Sequence, residues 1–183
     1  MKKVSFTADQ FLDLLKPLQH RAYSISSSIN KHPGSVHLTV AAVRWSYESR
    51  QHLGVCSTFL ADRVAEGDKA GIFISTNKSF RIPADDSAPM IMVGPGTGIA
   101  PFRAFLEERQ VRHATGPNWL FFGDQTREFD FIYQDELAAM QEQGVLTRLD
   151  LALSRDQAEK IYVQHKMKHH GAELFSRLEQ GGY

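Results

Sequence analysis

The chain has 183 residues, a formal net charge of zero and 42% hydrophobic residues, an ordinary composition for one or two small globular domains. The balanced charge gives no sign of a nucleic-acid-binding surface, and no apolar run reaches the roughly 18 residues of a membrane-spanning helix. The single cysteine, Cys56, excludes an internal disulfide and a cysteine-based zinc or iron–sulfur site. We therefore expect a cytoplasmic protein without nucleic-acid or membrane partners.

The first half of the chain predicts one helix followed mainly by strands. Apolar residues at helical spacing predict a short helix in residues 8–19 that ends near Pro17. A loop with a turn at Gly54 precedes a second helix, which Ser57 or Thr58 can cap. Strands are expected where Val, Ile, Thr and aromatic residues are frequent, in residues 21–28 (RAYSISSS), 35–45 (SVHLTVAAVRW) and 69–77 (KAGIFISTN).

The second half alternates strands with helices, and this alternation predicts a parallel α/β sheet. The many charges of residues 105–113 and 126–137 predict solvent-facing surfaces. The expected strands are residues 88–94, 117–124 and 146–156, and the expected helices are residues 99–114, residues 130–144 and a segment that follows a loop at residue 159.

Together these patterns predict a β plus α/β fold, in which a partial antiparallel barrel precedes a parallel α/β domain. We place the domain boundary in residues 83–88, a connection that contains a proline and paired aspartates. The three or four strands expected before it are few for a closed barrel, and exposed barrel edges favour pairing with another chain. Gly181 and Gly182 end the last helix, so a fourth parallel strand is expected to begin at Tyr183.

Residues 94–98 (GPGTG) join an apolar strand to the start of a helix. The N–H groups of a first helical turn have no partner within the helix, and the helix dipole favours negative charge, so this junction is suited to an anion. Glycine also lets a phosphate or a flat ring approach the backbone. The spacing matches neither the G-x-G-x-x-G dinucleotide fingerprint nor the P-loop, and glycine content alone supports a simple tight turn equally well.

Four motifs in order resemble those of the ferredoxin–NADP reductase superfamily. Residues 94–109 (GPGTGIAPFRAFLEER) resemble its pyridine-nucleotide motif, and residues 21–28 resemble its FAD-binding segment. Residues 54–60 (GVCSTFL) resemble the turn that holds the FAD pyrophosphate, and residues 151–167 resemble the segment that binds the 2′-phosphate of NADPH. The motifs are most similar to those of diflavin reductases, and among these to the flavoprotein subunits of NADPH-dependent sulfite reductases. The resemblance therefore implies FAD and NADPH as cofactors.

The resemblance covers a central piece of such a reductase. It implies that residues 1–17 are the remnant of a connecting-domain helix and that residues 18–87 are part of the FAD-binding barrel. Residues 88–183 are expected to be the NADP-binding domain without its last strand and helix. FMN is expected only in a further domain that lies outside this sequence.

The resemblance implies an FAD site built from three segments. Arg21 would pair with a flavin phosphate, Tyr23 would stack on the isoalloxazine ring and Ser24 would hydrogen-bond the ring. Without the resemblance, Arg21 is better explained as an exposed side chain of an edge strand and Tyr23 as a core residue. Cys56 itself is best explained as a small buried side chain. The residues implied beside the flavin and its pyrophosphate are Thr39, Val40, Ala41, Trp45, Gly54, Val55, Cys56 and Ser57.

The resemblance also implies an NADPH site. A 2′-phosphate favours a guanidinium, an ammonium and hydroxyl donors, although the same residues also suit a solvated loop of mixed charge. We assign no catalytic residue, because the cofactors carry the chemistry of hydride transfer. We assign no metal ligand either, because Lys166 and Lys168 lie among the histidines of the last segment. The implied residues are Gly94, Gly96 and Thr97 at the pyrophosphate, and Ser154, Arg155, Lys160, Tyr162 and Gln164 at the 2′-phosphate and adenine ribose.

The implied function is electron transfer from NADPH through FAD towards FMN and a sulfite reductase haemoprotein, the beta subunit, which reduces sulfite to sulfide for cysteine biosynthesis. Three alternatives stay open at this point. They are another diflavin reductase that feeds a different haem protein, a non-catalytic fragment that needs a complementary piece, and a nucleotide-binding module without redox activity.

Overall fold

The computed structural model describes residues 5–183. Two strands form an antiparallel hairpin, and three form a parallel sheet in the order β3-β4-β5. This arrangement confirms the predicted fold class, an antiparallel part followed by a parallel α/β part, while the domain bounds stay a prediction. The elements are α1 (Ala8–Leu14), β1 (Arg44–Tyr47), β2 (Arg50–Leu53), α2 (Val55–Asp62), β3 (Met90–Val93), α3 (Ala100–Val111), β4 (Asn118–Asp124), α4 (Arg127–Asp130), α5 (Gln134–Glu142), β5 (Arg148–Leu153), α6 (Val163–His169) and α7 (Gly171–Glu179).

The hydrophobic core lies on both faces of the parallel sheet. Successive side chains of a strand point to opposite faces, so Leu120 and Phe122 of β4 pack on one face and Trp119 and Phe121 on the other. Helices α3 and α5 cover the first face, and α6 and α7 cover the second. Their buried contributions include Leu106 and Leu137 on the first face, and Val163 and Leu174 on the second.

The outer edge of β3 is hydrogen-bonded to Tyr183. The Tyr183 N–H donates to the Pro89 carbonyl (2.8 Å), and the Ile91 N–H donates to the Tyr183 carbonyl (2.9 Å). This is the hydrogen-bond pattern of a parallel strand pair, at the residue where the sequence predicts a further strand to begin.

The strands predicted in residues 21–28 and 35–45 are largely wrong. The two stretches meet at one isolated antiparallel bridge, between Ile25 and Leu38, and β1 begins only at Arg44. Its partner β2 lies where a loop was predicted. The two stretches do not continue as a strand pair after the bridge, because the Ser26 carbonyl and the Ser28 N–H are hydrogen-bonded to side chains of α3.

The third predicted strand, residues 69–77, is also wrong, because these residues belong to no sheet of the described chain. A stretch rich in β-branched and aromatic residues forms a strand where a neighbour accepts its hydrogen bonds and covers one of its faces. Ile72, Phe73 and Ile74 are 77%, 67% and 70% exposed. The described residues therefore provide no such cover.

Helix boundaries differ from the prediction at three places. The N-cap of α2 is Gly54 and not Ser57 or Thr58, whose hydroxyls donate to the Gly54 carbonyl at 3.3 and 2.9 Å. The helix predicted for residues 130–144 begins only at Gln134, as α5, because its N-cap Tyr133 has a left-handed φ of 62°. His170 separates α6 from α7.

The solvent face predicted for residues 105–113 is wrong in part, because Glu107 and Arg109 are each only 1% exposed. Arg109 Nη2 donates to the carbonyls of Ala88 (3.1 Å) and Gly116 (2.8 Å). A charged side chain is tolerated in the interior where it is hydrogen-bonded or paired. Arg109 thus ties the connection before β3 to the turn before β4.

Replacing Leu120 by Ala tests how much this core contributes to the stability of the fold. Leu120 is fully buried in β4, so Leu120→Ala should lower the free energy of unfolding by about 2–5 kcal/mol. As a control, Ile72→Ala truncates a side chain that is 77% exposed and should change this free energy by less than about 0.5 kcal/mol. Urea unfolding monitored by circular dichroism measures both values, and equal losses would contradict the location of the core.

Candidate functional site

The carboxyl ends of the three parallel strands meet at one edge of the sheet. Gly94 follows β3, Asp124 ends β4 and Ser154 follows β5. The Gly94 N–H donates to the Phe121 carbonyl (3.0 Å), and the Ser154 N–H donates to the Asp124 carbonyl (2.9 Å). In open α/β sheets, ligands bind outside this edge.

Residues 94–98 form a tight turn whose backbone requires glycine at two positions. A Cβ on Gly94 would lie 2.7 Å from Cδ2 of Phe102 and 2.8 Å from the carbonyl oxygen of Gly98. Gly96 has a φ of 56°, in the left-handed region. The turn continues through the 3₁₀ helix Gly96–Ile99 into α3, and the first N–H groups of such a start lack helical acceptors. The turn therefore presents backbone donors suited to a phosphate.

Asp124 borders this turn and was not predicted from the sequence. Its Oδ2 lies 3.7 Å from the position that a Cβ on Gly96 would take. Burial, with a further contribution from nearby Asp130, raises the pKa of Asp124, although the Gln125 N–H donates to its Oδ1 (2.8 Å). A carboxylate repels phosphate but accepts hydrogen bonds from hydroxyl groups. This side of the turn is therefore better suited to a sugar than to a phosphate.

The predicted 2′-phosphate residues lie on the loop that follows β5 and at the start of α6. Ser154 is buried, whereas Arg155, Lys160 and Gln164 are exposed and Tyr162 is 45% exposed. The Arg155 N–H donates to a carbonyl of the neighbouring loop after β4 (2.8 Å). The loop thus anchors its backbone to the sheet edge and leaves both cationic side chains in solvent.

The Gln157 side chain closes the same loop. Its Nε2 donates to the carbonyls of Leu153 (2.7 Å) and Glu159 (2.9 Å). The carboxylate of Asp156 accepts from the Arg127 N–H at 3.2 and 3.3 Å. Both contacts come from residues that the sequence motif did not single out, and they shape the loop that presents Arg155 and Lys160.

On the flavin side, the structure brings Tyr23 and Cys56 together. Hydrogen bonding to the Cys56 side chain, followed by burial, raises the pKa of Tyr23. The predicted ring-stacking residue is therefore next to the predicted pyrophosphate turn. Arg21 donates to the backbone carbonyls of the two residues before it (2.9 and 3.3 Å), and Ser24 is exposed.

The predicted pyrophosphate turn is built around Gly54. The Gly54 N–H donates to the Val43 carbonyl (2.8 Å), and the Val43 N–H donates to Ser57 Oγ (3.1 Å). A Cβ on Gly54 would lie 2.5 Å from Ser57 Oγ and 2.9 Å from Val43 Cβ, so the close approach requires glycine. Val55, the first residue of α2, is 58% exposed.

The remaining predicted flavin contacts are Trp45 and the consecutive residues Thr39, Val40 and Ala41. Trp45 is 53% exposed and stacks on His52, with ring centroids 4.0 Å apart. Thr39 Oγ1 lies 2.6 Å from the Tyr133 hydroxyl and so contacts the second half of the chain. Val40 is half-buried, and Ala41 is exposed. Their roles at the flavin stay predictions.

The joint between the two halves was not predicted from the sequence either. Helix α3 contacts residues 26–32, where the Ser28 N–H donates to Glu107 Oε2 (2.9 Å) and Arg103 Nη1 donates to the Ser26 carbonyl (2.6 Å). Arg103 and Glu107 pair with each other at 3.2 Å. The spacing of these two residues is that of an ordinary surface pair on a helix, so the sequence carries no signal of their burial.

Glu107 is charged inside this joint. Burial acts to raise its pKa, but the Ser28 N–H, the His32 side chain and the Arg103 guanidinium outweigh burial and lower the pKa below its ordinary value. The joint is therefore held by an ionised carboxylate whose partners come from both halves of the chain.

In a comparison with known proteins, each half of the chain matches a protein-family model. Residues 1–59 match the family model described as an FAD binding domain, and residues 92–181 match the one described as an oxidoreductase NAD-binding domain. The fold and these matches define a flavin- and nicotinamide-binding oxidoreductase module, and they confirm the predicted cofactors, FAD and NADPH.

Three similar proteins are each named sulfite reductase (NADPH) flavoprotein alpha-component. The protein of Bacillus subtilis is 47% identical over 97% of this chain and 29% of its own length. That of Vibrio cholerae is 50% identical over 100% of this chain and 30% of its own length, and that of Cronobacter sakazakii is 51% identical over 96% and 29%. The chain belongs to the family of these flavoprotein alpha-components, as the sequence motifs predicted, and it spans about 30% of their length. Within residues 5–183, no helix is long and apolar enough to cross a bilayer.

Substitutions in the glycine turn test the close approach of the backbone at Gly94, with Gly98 as the control. Gly94→Ala places a methyl group 2.7 Å from Phe102 and should lower the free energy of unfolding by about 1–3 kcal/mol, the usual cost of overpacking. Gly98→Ala meets only Pro95 Cδ at 3.7 Å and should change it by less than about 1 kcal/mol. Thermal and urea unfolding of the two variants provide the test, and a larger loss for Gly98→Ala would contradict this geometry.

Proposed function

We propose that this chain binds FAD and NADPH and supports hydride transfer from NADPH to FAD as part of a sulfite reductase flavoprotein. The observation that best supports the proposal is that the glycine turn, residues 94–98, and the loop of residues 154–160 lie at the same edge of the sheet, because they follow β3 and β5, the two parallel strands that flank β4. One dinucleotide can span the two, with its pyrophosphate at the turn and its 2′-phosphate at the loop.

Each nucleotide residue has a role that its chemistry supports. Arg155 offers a planar fork and Lys160 a compact charge to a 2′-phosphate, and both are exposed on the loop. The half-exposed ring of Tyr162 offers a face to the adenine. Ser154 contributes a hydroxyl, and Gln164 a carboxamide, to the 2′-phosphate and the adenine ribose.

The flavin residues would bind and orient FAD, which supplies the hydride acceptor when bound. Tyr23 offers an aromatic face to the ring. Gly54, at the start of α2, leaves backbone donors open to the FAD pyrophosphate. Arg21 would leave its present contacts with backbone carbonyls to pair with a flavin phosphate.

The downstream electron path is part of the same proposal. Electrons would leave FAD for FMN on a separate domain and then pass to a haemoprotein beta subunit that reduces sulfite in the cytoplasm. The names of the relatives, which identify flavoprotein alpha-components of an NADPH sulfite reductase, support this path.

A second candidate function is a nucleotide-binding module that retains NADPH without redox activity. Large apolar side chains of the flavin half are exposed, among them Trp45 at 53%, Val55 at 58% and Phe73 at 67%. An FAD site normally buries most of its ligand among such side chains. The exposure of these side chains therefore supports the alternative, which predicts that the chain does not retain FAD.

Nucleotide preference tests the loop of residues 154–160. The double variant Arg155→Ala with Lys160→Ala should weaken NADP⁺ binding by at least about tenfold for each charge-assisted hydrogen bond that is lost. Binding of NAD⁺, which has no 2′-phosphate, should change by less than about twofold, because a surface charge that touches no ligand contributes little. Isothermal titration calorimetry measures both, with exposed Lys168→Ala as the control; equal loss for the two nucleotides would contradict the assignment.

Flavin retention distinguishes the two candidate functions. The purified chain is incubated with FAD, passed through gel filtration and examined by visible absorption. We expect flavin absorbance to remain with the protein, and reduction by NADPH to bleach it. A colourless protein that still binds NADP⁺ would instead support the nucleotide-binding module.

A further inference from the structure

Helix α3 connects the two predicted cofactor sites. Its amino-terminal end follows the glycine turn, residues 94–98, and its buried polar face contacts residues 26–28. Those residues end the predicted flavin segment, residues 21–28, and only Ile25 separates them from its last predicted flavin contact, Ser24. One rigid helix therefore contacts a segment from each site.

Glu107 is at the centre of that contact. It is 1% exposed, and its Oε2 accepts from the Ser28 N–H at 2.9 Å. Its Oε1 lies 2.9 Å from His32 Nε2 and 3.2 Å from Arg103 Nη2. Arg103 in turn donates to the Ser26 carbonyl at 2.6 Å, so the pair of charges binds both ends of residues 26–28.

Neighbouring contacts surround Glu107 but are more open to solvent. Glu108 Oε2 accepts from Ser28 Oγ (2.5 Å), and its Oε1 accepts from Asn30 Nδ2 (2.8 Å). Glu136 pairs with Arg103 Nε (2.8 Å) from α5. These groups add hydrogen bonds around the joint, whereas Glu107 alone is the fully buried carboxylate among the described acceptors of residues 26–28.

A buried ion pair is a poor source of stability, because desolvation offsets most of the attraction between its charges. It is nevertheless demanding in geometry, since loss of any one partner leaves a charge or a donor unsatisfied in the interior. The pair therefore favours the position of residues 26–28 against α3 in which all of its partners are satisfied.

We propose that Glu107 is a positioning residue that fixes the flavin segment, residues 21–28, relative to the nucleotide turn, residues 94–98, through Ser28 and Arg103. This inference rests on the proposed function, because the turn must bind the nucleotide for the coupling to serve electron transfer. A nucleotide that binds at the start of α3 would then also stabilise the position of residues 26–28.

Amide hydrogen exchange of the full chain, with NADP⁺ as the probe, tests the coupling. Saturating NADP⁺ should slow exchange at residues 94–98 in the wild type and in Glu107→Ala. At residues 26–28, NADP⁺ should slow exchange in the wild type by about fivefold or more, the lower end of the usual coupling between two sites. In Glu107→Ala, NADP⁺ should leave the exchange rate of residues 26–28 nearly unchanged. The control is Glu142→Ala, an exposed glutamate of α5, which should behave as the wild type.

The ratio of the exchange rates measured with and without NADP⁺ distinguishes a loss of coupling from a general loss of stability in Glu107→Ala. General loosening of Glu107→Ala raises both rates and leaves their ratio as in the wild type, so a retained ratio would overturn the inference. Protection at residues 94–98 without protection at residues 26–28 in the wild type would overturn it as well. Protection at neither segment would refute the proposed nucleotide site together with the inference.

The isosteric variant Glu107→Gln keeps the test informative if Glu107→Ala does not fold. Its amide oxygen still accepts from the Ser28 N–H, but the charge that faces Arg103 is lost. NADP⁺ should therefore protect residues 26–28 of Glu107→Gln less than it protects them in the wild type and in Glu142→Ala, but some protection should remain. Protection equal to the wild type would overturn a role for the carboxylate charge.

Discussion

Burial of the central strand β4 is the constraint on which the rest of the structure depends. Residues 118–123 are buried without interruption, so helices must cover both faces of the sheet. Strands covered in this way run parallel and are joined by crossover helices. All three carboxyl ends then lie at the same edge, and the glycine turn, Asp124 and the loop after β5 are neighbours before any ligand is considered.

The first half of the chain has no comparable constraint. A two-stranded hairpin is marginally stable alone, and Trp45 of that hairpin stacks on His52 in a largely exposed position. The flavin segments are instead held by the second half, through the contact of Ser28 with α3 and through the bond of Thr39 with Tyr133. The dependence is therefore one-sided, since the flavin half takes its position from the nucleotide half.

What the sequence could predict follows from how local each feature is. Strands β3 to β5 and helix α3 were predicted because periodicity and turn glycines are encoded within a few residues. The glycine turn is local in the same sense, since Gly94 and Gly98 contact each other within five residues. Asp124 was missed because its proximity to Gly96 depends on β3 and β4 being neighbours in the sheet.

The failures have the same origin. Residues 69–77 have strand composition, but the neighbours that would make them a strand are not determined by composition. Tyr133 interrupts a helical pattern with a left-handed conformation that is uncommon for a residue other than glycine. Glu107 has the sequence context of a surface residue, and only the packing of residues 26–32 against α3 encloses it.

Two buried charges of α3 show how the helix serves both halves. Arg109 donates to backbone carbonyls within the α/β half, and so its contacts stabilise the turns on which the sheet is built. Glu107 binds across the joint to Ser28 and His32, and an apolar replacement of its pair with Arg103 would serve stability equally well. In our proposal, the contribution of the pair is instead the position of residues 26–28 relative to α3. A fixed position of these residues agrees with the proposed function, because hydride transfer requires the nicotinamide and the flavin to be held within contact distance.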